Sequence, residues 1–145
     1  MGLQVMYREA AVTLLTECAA SASVRLQVYR GRPATVYPPT AFVDSMSDQL
    51  TPVPGASDLF THVPTIEILC LWGLLDTGEA VDQRDAFVDA FHDWIRTRHD
   101  EVSGATLIGP QSLTDEPSFV PDWLPEAQQK VYYATRIVLE GFATD

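Results

Sequence analysis

The sequence predicts an α+β fold: a mixed, mostly antiparallel β-sheet with two main α-helices packed on it and long extended loops. Three observations carry this. Residues 79–99 read as one amphipathic helix, an apolar strand, Thr65–Trp72, precedes it, and a long alternating strand, Lys130–Phe142, closes the sequence. With a leading helix, the order is helix, strand, long arm, strand, helix, strand, arm, strand. A mixed or mostly antiparallel sheet with helices packed on it fits that order. A chain of 145 residues suits a single domain over 1–145. At that length, folding buries roughly 68–70% of the unfolded surface.

The first helix is predicted from about Gln4 to Ala20. Tyr7, Ala10, Ala11, Leu14, Leu15 and Cys18 recur at helical spacing, while Arg8, Glu9, Thr13, Thr16 and Glu17 face away. Ser21-Ala-Ser ends it. Val24–Tyr29 follows as a short strand, with Val24, Leu26 and Val28 on one face. Gly31 and Pro33 break that pattern.

Residues 34–63 read as a first loop arm. Pro38-Pro39 is excluded from a central strand because proline has no N–H to donate. Thr40–Ser45 fits a strand within the arm, and Pro52, Pro54 and Gly55 mark a loop tip. The apolar content, Val36, Tyr37, Ala41, Phe42 and Val43, is too high for a disordered linker.

Thr65–Trp72 is almost continuously apolar, with Glu67 the exception, which predicts a strand covered on both faces. Thr77 fits as a cap for the main helix, and Glu79, Asp82 and Asp85 sit near the positive end of its dipole. Phe87, Val88, Phe91, Trp94 and Ile95 form its apolar stripe. Asp82, Asp85, Asp89, Asp93 and Arg96 lie on the other side. Asp85/Asp89 and Asp89/Asp93 are like-charge pairs four residues apart, each costing about 0.2–0.5 kcal/mol. Ala105–Leu113 reads as another strand, bent at Gly109-Pro110. Residues 114–127 form a second arm, with Phe119, Trp123 and Leu124 set among Pro117, Pro121 and Pro125. In the last strand, Val131, Tyr133, Ile137 and Leu139 share one face, and Tyr132, Arg136 and Glu140 the other.

Charge excludes one class of function. Twenty acidic residues against nine basic give a net charge of −11, and Lys130 is the only lysine. Affinity for nucleic acid rests on clustered Lys and Arg, so this chain repels phosphate backbones. Cys18 and Cys70 sit in apolar contexts and read as buried free thiols. With no signal-like start and no apolar run of membrane-spanning length, the reading is of a soluble chain made in a reducing cytoplasm.

The chemical motifs are sparse. His92 and His99 share a helix face, but metal sites need at least three converging ligands. His62 reads as an isolated structural residue. No GxSxG, GxGxxG or P-loop occurs. Asp44, Asp48, Asp76 and Asp115 lie near loops, where paired carboxylates are able to run hydrolysis. Twenty acidic residues produce such pairs by chance. The expectation is no enzyme, no metal and no cofactor.

Three stretches resemble the tail terminator proteins of long-tailed (siphovirus) bacteriophages of the actinobacteriophage type. They are Val36-Tyr-Pro-Pro-Thr-Ala-Phe-Val-Asp44; His62–Gly73 running into Asp82–Phe91; and Val131–Glu140. The resemblance lies in length, element order and texture, and covers most of the chain. It implies a small α/β subunit forming a homohexameric ring that caps the tail tube, ends its polymerisation and joins the tail to a head connector or neck protein. The implied partners are further copies of the chain, the tail tube protein and that connector. DNA passes through without specific binding, no membrane is involved, and the location is the virion, after assembly in the host cytoplasm. Tyr37, Phe42, Phe119 and Trp123 are the candidate interface anchors, with lids over the subunit's own core as the other reading. Asp82, Asp85, Asp89 and Asp93 are the candidate lining of an acidic lumen. Another neck or connector protein of the same virion, or a small unrelated enzyme, are the alternatives.

Overall fold

The computed structural model describes residues 3–55, 58–74, 78–98 and 106–144. It has the α+β architecture that the sequence predicts. The helix α1 (Leu3–Ala22) is followed by the strands β1 (Gln27–Tyr29), β2 (Thr40–Pro52) and β3 (Phe60–Leu74). The second helix, α2 (Gly78–Arg98), leads to β4 (Thr106–Phe119), a 3-10 turn (Glu126–Gln128) and β5 (Tyr132–Thr144). The five strands form one sheet in the order β1-β2-β3-β5-β4. Only β1 and β2 run parallel; the other pairs are antiparallel.

Both helices lie on one face of this sheet. There Ala41, Val43, Ile66, Ile68, Cys70, Trp72, Ile137 and Leu139 pack with Tyr7, Leu14 and Leu15 of α1 and with Phe87, Phe91 and Trp94 of α2. Burying one such side chain contributes about 1.5–3 kcal/mol. That outweighs the few tenths lost to each aspartate pair on α2, so the helix forms despite its acidic outer side. The Trp94 indole donates to Glu17 Oε2 at 2.7 Å and fastens the helices together. A second chain of bonds locks α2 to the sheet. Trp72 donates to Thr135 Oγ1 at 2.9 Å, Thr135 donates to Asp115 at 2.8 Å, and Arg84 meets Asp115 at 3.1 Å.

α1 runs two residues beyond the predicted Ala20 and stops within the Ser21-Ala-Ser stretch. Ser23 takes a left-handed φ of 58°, and Val24 N donates back to Ala19 O at 3.0 Å. The short strand is shorter than expected: Val24 and Leu26 pack on the core, and only Gln27–Tyr29 pairs with β2. Thr77 lies outside the described residues, as does Ala105 at the start of the predicted fourth strand.

The two arms need correction. Most of 40–63 is regular sheet. β2 pairs with β3 from Thr40↔Leu71 to Pro52↔Phe60, one long hairpin with a single irregularity at Val43/Ser45. The tip is closed by Val53 N donating to Leu59 O at 3.0 Å, and Gly55 there has φ +79°. The polar alternation Ser45-Met-Ser-Asp-Gln-Leu-Thr51 hid this strand, since neither face reads as core. Likewise Thr114–Phe119 belongs to β4. Its Pro117 is tolerated because β4 is an edge strand.

Candidate functional site

What remains of the arms folds back on the subunit's own sheet. Phe42, Leu69, Leu71, Tyr132 and Ala134 are buried on the helix-free face, with Tyr29, Val36, Phe119 and Trp123 packed over them. Trp123 meets Phe42 edge-on at 5.4 Å and Phe119 at 6.1 Å. Its indole donates to Pro33 O at 3.0 Å, and the Arg32 guanidinium stacks 4.8 Å from its ring centre. The arms therefore supply the second cover that the apolar run of β3 demands. Of the four anchor candidates, Phe42 is fully buried within its own subunit, and Phe119 and Trp123 are half-buried beside it. For Phe42 and Trp123 the lid reading is the one that describes the contacts. Tyr37 alone is open, at 65% exposure. It lines a cleft of about 250 Å³ between the arms, with Val36, Leu124, Gln128 and Lys130.

Next to this lid lies a charged network that joins four strands. Arg136 of β5 stands 3.0 Å from Asp44 of β2, 2.8 Å from Glu116 of β4 and 3.8 Å from Glu67 of β3. Arg32 adds a bond to Asp44 at 2.8 Å, and Ser45 Oγ donates to Glu67 at 2.7 Å. Burial works to raise the Asp44 carboxyl, but the bonds from Arg32 and Arg136 outweigh it and hold it below the ordinary carboxylate range. Burial likewise opposes the charge on Arg136, and the bonds to Glu116 and Asp44 raise its pKa overall. These carboxylates are committed to guanidinium partners. The arrangement links β2, β3, β4 and β5 through one guanidinium on this face.

A third cluster sits where the β2–β3 hairpin leaves the helices. His62 Nδ1 is 2.7 Å from Asp48 Oδ2, both side chains being largely buried, so His62 is not the isolated residue that the sequence suggests. Gln4 donates to the same Asp48 oxygen at 3.3 Å. The buried Tyr7 hydroxyl and Asp48 Oδ1 have no hydrogen-bond partner among the described residues. Burial, then the charge of Asp48, pushes the Tyr7 phenol up to about 12, so it stays neutral. Beyond this cluster the hairpin turns apolar and open. Leu50, Leu59 and Phe60 are exposed by 55%, 41% and 38%, and Val5 of α1 by 41%. Sequence reasoning missed this end because Leu50 and the Leu59-Phe60 pair lie apart among polar neighbours, and the pairing of β2 with β3 is what brings them together.

Asp82, Asp85, Asp89 and Asp93 are all exposed on the outer side of α2. Arg84 bonds Asp85 at 3.0 Å, and Arg96 bonds Asp93. His92 is exposed on the same helix, whereas His99 and Asp76 lie outside the described residues. Cys18 and Cys70 are free and buried. Among the described residues, no helix is long and apolar enough to cross a membrane.

No protein-family model matches this chain, and no curated protein matches it.

Proposed function

We propose that this chain is a structural virion subunit of the tail terminator kind. Copies of it form a ring that caps the phage tail tube, ends tube growth and joins the tail to the head connector. The sequence resemblance suggests the reading, and one structural observation carries it. The β2–β3 hairpin extends past the helix layer and holds Leu50, Leu59 and Phe60 open to water in a chain of net charge −11. An apolar end on so acidic a molecule is the kind of surface that another protein covers. The four-strand network around Arg136 stiffens the sheet that holds this end out. DNA passes the ring without specific contacts, because the acidic surface repels phosphate. The arms lend the reading little support, since they pack Phe42, Phe119 and Trp123 on their own subunit and leave Tyr37 open.

Light scattering of the purified chain, with and without tail tube protein, tests this. The expected result is a ring-sized species that stacks on tubes. A strict monomer that never stacks overturns it. Rings that stack on the connector and not on tubes shift the reading to a neck protein.

A further inference from the structure

Open apolar side chains gather at both ends of the sheet. Leu50, Leu59 and Phe60 stand at the hairpin tip. Tyr37, Leu74, Val120 and Val131 stand at the other end, where Leu74 and Phe119 both pair with Tyr132. β3 runs between the two ends, from Phe60 to Leu74. Its 15 residues span roughly 45–50 Å at about 3.3 Å per residue. The tip of one copy therefore does not reach its own far end.

Each end carries a single charge where the other needs it. Asp58 is the only charged residue in 49–61, and it is exposed beside Leu59. At the far end lies the cleft between the arms, lined by Val36, Tyr37, Leu124, Gln128, Lys130 and Tyr132, among others. Lys130 is the one charged residue of that lining, and the arm's own acids, Asp122 and Glu126, stay outside it. Lys130 is exposed and makes no ion pair among the described residues. The cleft measures about 250 Å³. An apolar cavity of about 150 Å³ takes benzene, so one phenyl side chain fits here. Copies of a chain of net charge −11 repel one another over most of their surface. The tip and the cleft are the places where two copies approach with little repulsion and with matching charges.

We propose that the hairpin tip of one copy seats in the cleft between the arms of the next, with Phe60 against Tyr37 and Asp58 beside Lys130. This rests on the ring reading above and deepens it, because it names what covers the apolar hairpin end. An aromatic anchor in a pocket is a common energetic centre of a protein contact. The tip and the cleft are different surfaces at opposite ends of one subunit. The contact is therefore head-to-tail, the arrangement that generates a ring when the rotation closes. It also gives Tyr37, which the aromatic lid leaves open, a surface to pack on.

Charge reversal tests it. Asp58→Lys and Lys130→Glu are each expected to lose the ring-sized species in light scattering, and the double variant with both changes is expected to regain it. Circular dichroism checks that each variant is folded. A short thiol-reactive cross-linker gives a second measurement that leaves both anchors and both charges in place. Thr51→Cys stands beside the tip and Thr35→Cys on the cleft lining, and both positions are exposed. That pair is expected to give a ladder of linked copies, with or without tail tube protein, which Thr51→Cys plus Ser112→Cys does not give. Rings that persist in both single variants, a double variant without rings, or equal ladders in the two cysteine pairs overturn the contact and leave the ring reading standing. A wild-type chain that forms no ring, alone or on tubes, and gives no ladder overturns both.

Discussion

Trp123 donates its indole N–H to the Pro33 carbonyl at 3.0 Å, tying the second arm to the first across 90 residues of sequence. This bond closes the aromatic lid over Phe42. It makes the lid part of the subunit's own stability.

Trp123→Ala is therefore expected to destabilise the isolated chain by about 2–4 kcal/mol, near the lower end of buried tryptophan truncations because the ring is half-buried. Tyr37→Ala, at 65% exposure, is expected to change stability by less than about 0.5 kcal/mol. Urea unfolding of the two variants checks the contrast. Equal losses would mean that the lid is not what holds the arms.

Asp44 gives a pH dependence. Its folded pKa lies below the unfolded value, so its contribution is fully present above the unfolded carboxylate range and is lost as pH falls through the folded value. Stability is expected to decline on acidification below about pH 4, where an unfolded aspartate protonates. Asp44→Asn should flatten that part of the profile, measured as urea midpoints against pH. An unchanged slope would remove Asp44 as its source.

The thiols offer a chemical check. Burial pushes Cys18 up to about 12 and Cys70 higher still, so neither forms thiolate near neutrality. Ellman's reagent at pH 8 is expected to leave both unlabelled in the native chain and to count two thiols in urea. Prompt native labelling would contradict the packing of α1 on β3.

Tyr7→Phe removes a buried hydroxyl that has no hydrogen-bond partner among the described residues. Such a group gives back no bond for its lost hydration, so the variant is expected to be neutral or more stable by up to about 1 kcal/mol. A clear loss in urea unfolding would show that the hydroxyl is bonded in solution.

Much of the fold is legible in the sequence because periodicity reports burial. Tyr7 to Cys18, Phe87 to Ile95 and Thr65 to Trp72 each carry an apolar pattern; the structure packs Tyr7, Phe87, Ile66 and Trp72 in one core and turns Leu69 and Leu71 to the opposite face of the sheet. β2 is less legible. Its outer half has polar residues on both faces and is a strand because β3 pairs with it, which no local pattern encodes. The same holds for Asp44 with Arg136 and for Asp48 with His62, pairs separated by 92 and 14 residues that meet only once the sheet is formed. The aromatics of the arms were visible, but which surface buries them depends on tertiary placement.

The most direct test of the central proposal is electron microscopy of tail tubes assembled in the presence and absence of this chain. The account predicts tubes that stop growing and end in a ring of this protein, and loss of that ring with Leu50→Glu plus Phe60→Glu. Tubes that lengthen unchanged and carry no density at their ends would contradict it.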